Sequence, residues 1–167
     1  RNNKYLFAKE AYEKNYDSEN AFSATYGAHR EKLELDTRHL NTLKEDCKKY
    51  GVDFMSTPFD EPSLDLICDV GVDIIKISSF DLGNLPFLNK IAEKGIPVVM
   101  STGGGDLKIV QESVKILQKN VSDISILHCV SEYPCTHERL GLETIEKYID
   151  LFPSCKIGIS DHFSGIL

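Results

Sequence analysis

The stretch 73–101, DIIKISSFDLGNLPFLNKIAEKGIPVVMS, carries the pattern that decides the fold. Its two ends, DIIKIS (73–78) and IPVVMS (96–101), are short apolar runs rich in Ile and Val, the composition of buried strands. Between them, Leu85 to Lys94 reads as a helix, and Gly95 supplies a stop. The same alternation runs outward in both directions. Upstream, VDFMST (52–57) predicts a strand, and Ser63 to Val70 a short helix with Leu64, Ile67 and Cys68 inward and Gly71 at its end. Before that, Leu40, Leu43 and Cys47 recur at helical spacing after Asp36-Thr37, a capping pair, and Gly51 closes the helix. Downstream, a longer helix on Ile109, Val110, Val114 and Leu117 follows Asp106, then ISILHC (124–129) predicts a strand. Leu142 to Leu151 is the last helix, Pro153 breaks it, and KIGIS (156–160) is the fifth strand.

Five apolar strands, each reached through a helix, predict parallel pairing with both strand faces buried. That alternation fits an α/β (β/α)8 barrel and an open doubly wound sheet alike, and periodicity leaves the two open. At 167 residues the chain suffices for one domain core but falls short of the roughly 250 residues of a complete barrel. Residues 1–36 differ in kind: rich in Asn, Lys, Glu and Tyr, with weak helical character around Ala28 to Leu35. They read as a long connecting segment after a strand preceding residue 1, with 37–167 as the barrel segment. A flexible terminal extension is the other reading.

Composition narrows the function classes. Charged residues make up 27% and hydrophobic residues 41%, as in soluble globular proteins. No apolar run approaches the ~20 residues that span a bilayer, and RNNKYLFAKEAYEKN at the start lacks the apolar core of a secretory signal, so a cytoplasmic protein is expected. A net charge of −7 argues against a nucleic-acid surface while leaving room for a small anion held by one or two cations. The five cysteines form no CxxC pair, which predicts reduced, mostly buried thiols rather than disulfides or a zinc site.

The polar residues sit at one end of every apolar run: Ser56-Thr57, Lys76 with Ser78-Ser79, Ser101-Thr102, His128 with Ser131 and Tyr133, and Ser160-Asp161-His162. In parallel α/β folds this is the ligand-binding edge. Lys76 lies inside an apolar run, where a lysine is normally excluded unless its charge is compensated, and this points to a cation held for a phosphate or carboxylate. The alternative is a lysine snorkelling to solvent. Ser101-Thr102-Gly103-Gly104-Gly105 opens a helix and predicts backbone N–H groups approaching an anion. It has neither the GxGxxG spacing of a dinucleotide site nor the GK[ST] of a P-loop, so a small phosphate fits better than a nucleotide. His162 at the catalytic edge is a candidate metal ligand. His128 reads as a buried, hydrogen-bonded core histidine, and His29, His39 and His137 as exposed.

The strings FMSTPFDEPSLDLICDVGVDIIKISSFDLGNLPFLNKIAEKGIPVVMSTGG, LHCVSEYP, IGISDHFSGI and the early TYGAHREKLEL resemble the sialic acid (N-acetylneuraminate) synthase family, with its legionaminic, pseudaminic and spore-coat polysaccharide relatives. The resemblance implies a (β/α)8 TIM barrel, here about five central βα units covering the third to seventh strands. It implies a transferase that condenses phosphoenolpyruvate with an N-acyl sugar, N-acetylmannosamine or a relative, to a nine-carbon 2-keto acid with release of phosphate. By the same resemblance Lys76, Ser79, Ser101, Ser131 and Ser160 bind phosphoenolpyruvate, Tyr133 lies near the sugar, and His162 is one of two histidines on a manganese or magnesium ion. Asp81 stands where the family has a glutamate that assists proton or water handling, one methylene shorter. Ser131 replaces an Asn of some members, and STGGG replaces STGM or STGGA.

Complete members are expected to carry a catalytic Glu and a further phosphate-binding Lys in earlier strands. A second metal histidine is expected after an eighth strand, and a C-terminal antifreeze-like domain that reaches a partner subunit in a homodimer. This chain alone is therefore expected to be inactive. Two other readings stand beside the synthase: a non-catalytic barrel that serves as a scaffold or binding protein, and a different barrel enzyme acting on phosphorylated sugars.

Overall fold

The structure is a computed structural model that describes residues 1–165; Ile166 and Leu167, the last two residues of the expected 37–167 segment, lie outside the described residues. The chain divides into two compact units, one of Arg1–Phe54 with Pro58–Val72, the other of Met55–Thr57 with the chain from Asp73 onward.

The first unit holds α1 (Asn3–Leu6), α2 (Lys9–Glu13), α3 (Tyr26–Lys32), α4 (Thr37–Tyr50) and α5 (Glu61–Val70). Asp36 caps α4 by accepting from the His39 N–H at 2.9 Å, and Asp60 caps α5 by accepting from the Ser63 N–H at 2.7 Å. Gly51 and Gly71 end these helices in the left-handed conformation at φ +67 and +83. Of the expected inward residues of α4, Leu40 is buried, but Leu43 is exposed and Cys47 intermediate. The first 36 residues carry more order than their composition predicts. A bridge pairs Asn15 with Thr25, and the rings of Tyr16 and Phe22 lie 4.5 and 5.7 Å from that of His29. His29, expected on the surface, is 6% exposed, and its Nδ1 accepts from the Phe22 N–H at 3.1 Å. A histidine held inside an aromatic cluster closed by a bridge ten residues apart has no periodic signature.

The second unit is a five-stranded parallel sheet. Its strands are β1 (Met55–Ser56), β2 (Ile74–Ile77), β3 (Val98–Ser101), β4 (Ile124–Cys129) and β5 (Lys156–Ser160), in the spatial order β1-β2-β3-β4-β5. The sequential order decides between the two architectures left open by periodicity. An open doubly wound sheet reverses its strand order at a switch point, whereas a barrel winds in one direction. This sheet shows no reversal.

Helices α6 (Leu85–Glu93) and α7 (Leu107–Leu117) pack on each other through faces that bury Leu88, Ile91, Val110, Val114 and Leu117, and α8 (Glu143–Leu151) packs on β4 and β5. One face of the sheet is sealed: Ile75, Ile77, Val98, Met100, Ile124 and Ile126 are at most 3% exposed. The residues between them, Ile74, Lys76, Val99, Ser125 and Leu127, are half-buried, so the predicted burial of both faces holds for one face only. A closed eight-stranded barrel fills its inner face with side chains from all its strands. The five described strands supply part of that filling. Among the described residues, no helix is long and apolar enough to cross a membrane. The cysteines are free; Cys129 and Cys135 are buried and the other three intermediate, fewer inside than predicted.

Candidate active site at the strand ends

The register of the sheet places the candidate residues on one face. Lys76 lies opposite Val99, Ser101 opposite Leu127 and Cys129 opposite Ser160. Because side chains alternate with a period of two, Lys76, Ser101, Cys129 and Ser160 share the half-buried face, away from the sealed one.

Lys76 donates from Nζ to Ser101 Oγ at 2.7 Å. Ser101 itself is 2% exposed, and no carboxylate pairs with Lys76 among the described residues. A neutral hydroxyl does not compensate an ammonium, so burial pushes the Lys76 pKa below the ordinary lysine range, with the nearby Cys129 thiol partly opposing this.

The turn after β3 is fixed by three groups. Thr102 Oγ1 donates to the Leu127 carbonyl of β4 at 3.0 Å and accepts from the Tyr148 hydroxyl of α8 at 3.2 Å. The Gly103 N–H donates to Ser79 Oγ at 2.9 Å. This departs from the sequence reading, in which the glycines free backbone N–H groups for an anion: the Gly103 N–H is occupied within the protein. Asp106 likewise caps α7 by accepting from the Ile109 N–H at 2.9 Å. The requirement for glycine at 103 is steric, since a Cβ there would collide with Ser131 Oγ and lie 2.9 Å from Ser79 Oγ and 3.0 Å from Cys129 Sγ. The same contacts bring Ser79, Ser131 and Cys129 to one point. Ser79 Oγ donates to Cys129 Sγ at 3.5 Å.

His162 and Tyr133 form a second group. The Nδ1–H of His162 donates to the Val130 carbonyl at 2.7 Å, and the His162 carbonyl accepts from the Cys135 N–H at 2.9 Å. The Tyr133 ring, 75% exposed, lies 4.2 Å from the imidazole centroid to centroid. With Nδ1 committed to a carbonyl, the Nε2 lone pair is the free one, which is how metal-ligating imidazoles are oriented. Among the described residues, no three His, Cys, Asp or Glu gather into a metal-holding cluster. His162 thus fits as one ligand of a set.

Asp81 lies two residues beyond Ser79. It sits in the 3-10 turn Ser79–Asp81 and is 2% exposed, accepting from Ser78 Oγ at 3.5 Å and from Asn84 Nδ2 at 3.3 Å. His128 is buried, as expected, and donates from Nε2 to the Leu140 carbonyl at 2.6 Å. The sequence reading missed Cys129 and Tyr148, since a buried Cys and a helical Tyr carry no pattern that marks them as neighbours of a site.

Sequential parallel βα units with a cation and hydroxyls gathered at the strand ends define a partial (β/α)8 barrel. The chain belongs to the NeuB family, whose model matches residues 1–167. It is 35% identical over 162 residues to N-acetylneuraminate-9-phosphate synthase of Drosophila melanogaster, covering 96% of this chain and 44% of that protein. It is 38% identical over 139 residues to N,N'-diacetyllegionaminic acid synthase of Campylobacter jejuni, covering 81% of this chain and 41% of that one. Among solved structures, the N-acetylneuraminic acid synthetase of Leptospira borgpetersenii, in complex with citrate, superposes with a TM-score of 0.79 at 33% identity. That match covers 87% of this chain and 51% of the other. The chain therefore spans about half the length of the relatives it matches or less.

Proposed function

We propose that this chain is part of a cytoplasmic, homodimeric condensing synthase that joins phosphoenolpyruvate to an N-acyl hexosamine-type sugar, releasing phosphate and a nine-carbon 2-keto acid. The observation that carries this reading is Lys76: a half-buried ammonium whose only described hydrogen-bond partner is the Ser101 hydroxyl, at the edge where Ser79 and Ser131 converge. An anion there meets one charge and several hydroxyls, with Ser160 one strand further on. In the reaction, C3 of the enolpyruvate bonds to the aldehyde carbon of the sugar, water adds at C2, and phosphate leaves with its C–O bond broken. This chain's residues hold the anion and fix its orientation, and such positioning lowers the barrier by several kcal/mol. His162 would hold a manganese or magnesium ion together with a second histidine from outside this chain. When bound, the ion supplies Lewis-acid polarisation of the aldehyde oxygen. Tyr133 beside His162 faces the sugar. Asp81 would handle a proton or water near the enolpyruvate, a role that requires its buried turn to admit that water.

The test is phosphate release from phosphoenolpyruvate by a full-length protein carrying this chain, with manganese and N-acetylmannosamine or a related six-carbon N-acyl sugar. Turnover with at least one such sugar is expected. A folded protein that binds phosphoenolpyruvate but turns over none of them would favour the scaffold reading, to which the burial of Asp81 lends support.

The lowered pKa of Lys76 gives a second expected outcome. The folded pKa lies below the ordinary lysine value of about 10.4, so burial costs stability at pH below the folded pKa. That cost is relieved as pH rises from the folded value toward the ordinary one. Anion binding runs the other way, because it needs the ammonium. Affinity for phosphoenolpyruvate should fall as pH rises through this alkaline window, with proton uptake on binding. Calorimetry in two buffers of different ionisation enthalpy reads the uptake. Lys76→Arg, charged throughout, should flatten the profile; an equally steep fall in that variant would assign the titration to another group.

A further inference from the structure

The segment that follows β4 leans on one residue beyond β5. His162 meets it three times: its Nδ1–H donates to the Val130 carbonyl at 2.7 Å, its own carbonyl accepts from the Cys135 N–H at 2.9 Å, and its ring lies 4.2 Å from that of Tyr133. The two hydrogen bonds stand on either side of Ser131 and Tyr133. Those two side chains have little else to place them. Both are exposed, and among the described residues the Ser131 hydroxyl has no hydrogen-bond partner. Ser131 nevertheless occupies a defined point, since a Cβ at Gly103 would collide with its Oγ. Its backbone therefore does the placing. The Val130 carbonyl and the Ser131 N–H belong to one planar peptide unit, so a donor that fixes the carbonyl fixes the direction in which Ser131 leaves the strand.

We propose that His162 is a positioning residue for Ser131 and Tyr133 in addition to its proposed metal role, with the two roles on different ring nitrogens. Nδ1–H holds the segment, and Nε2 remains for the ion. This rests on the reading of the strand ends as a phosphoenolpyruvate site. Without the imidazole, the Val130 carbonyl loses its donor and Tyr133 the ring it lies against, while the bond to Cys135 survives because it is backbone to backbone.

The two nitrogens can be separated by substitution. Asparagine carries its amide N–H close to the Nδ1 position and has nothing at Nε2, so His162→Asn keeps the hold on Val130 and loses the metal ligand. His162→Ala loses both. In a full-length protein carrying this chain, titrated with phosphoenolpyruvate in the presence of a chelator, His162→Ala should bind about fivefold more weakly than the parent and His162→Asn within about twofold of it. In a Ser131→Ala background, His162→Ala should add nothing to the loss. Hydrogen exchange over residues 130–135 should be faster in His162→Ala and parent-like in His162→Asn, with circular dichroism verifying that each protein is folded. Parent-like affinity in His162→Ala, equal weakening in His162→Asn, or a loss that persists without the Ser131 hydroxyl overturns the proposal. Should His162→Ala not fold, His162→Gln takes its place, because its amide reaches the Nε2 position and leaves Nδ1 empty; parent-like affinity there overturns the proposal equally. A folded parent that binds no phosphoenolpyruvate would instead overturn the reading of the strand ends. The exchange rates then still decide whether His162 holds the segment, and unchanged rates in His162→Ala would show that it does not.

Discussion

Replacing Lys76 by Met in a full-length protein carrying this chain is expected to weaken phosphoenolpyruvate binding about 100-fold, or ~3 kcal/mol, while leaving sugar affinity within a few-fold. Met matches the length of the Lys stem and preserves packing along β2, so the change removes charge and little volume. The charge in question has one neutral hydroxyl, Ser101, as its described hydrogen-bond partner. Its loss should therefore fall on the anionic substrate. Titration of phosphoenolpyruvate into parent and variant measures it. An unchanged affinity would identify Lys76 as a lysine reaching solvent.

The second large effect belongs to His162. His162→Ala in the full-length protein should reduce manganese affinity by more than ~100-fold, the upper range for disturbing even the outer partners of a metal ligand. The 167-residue chain alone should bind manganese weakly, because it offers one oriented imidazole and, among its described residues, no cluster of further His, Cys, Asp or Glu. Calorimetric titration of manganese into the three proteins reads affinity without depending on turnover. Tight binding by the short chain, or binding retained after His162→Ala, would show that the ion is held elsewhere.

Much of this arrangement is legible in the sequence because strands and helices here obey simple periods. DIIKIS and IPVVMS contain β2 and β3, Asp36 and Asp106 cap their helices, and Gly51 and Gly71 stop theirs. Lys76 stood out because an apolar run excludes a lysine without reason. The rest depends on contacts between distant segments. His29 is buried by rings brought together across a bridge from 15 to 25, in a segment whose composition reads as polar. The role of Gly103 could not be read from glycine's general usefulness in phosphate loops. It follows from Ser79, Cys129 and Ser131 arriving from two other strand ends. Periodicity could not choose between barrel and open sheet; the family resemblance pointed to the barrel, and the sequential strand order bears it out.

The two-residue period of the strands has a consequence for how such a protein changes over time. Lys76, Ser101, Cys129 and Ser160 share a face only because the register holds, and moving β3 by one residue would exchange Ser101 for Met100, now on the sealed face. Insertions and deletions in the strands are thus closed to gradual change, since each would invert this polar face together with the core. The loops beyond the strand ends, such as the one bearing Tyr133, carry no such constraint. On the proposed function, new sugar preferences would accumulate there by altering loop length, while the strand-end cluster of Lys76, Ser101 and Ser160 stays frozen by arithmetic.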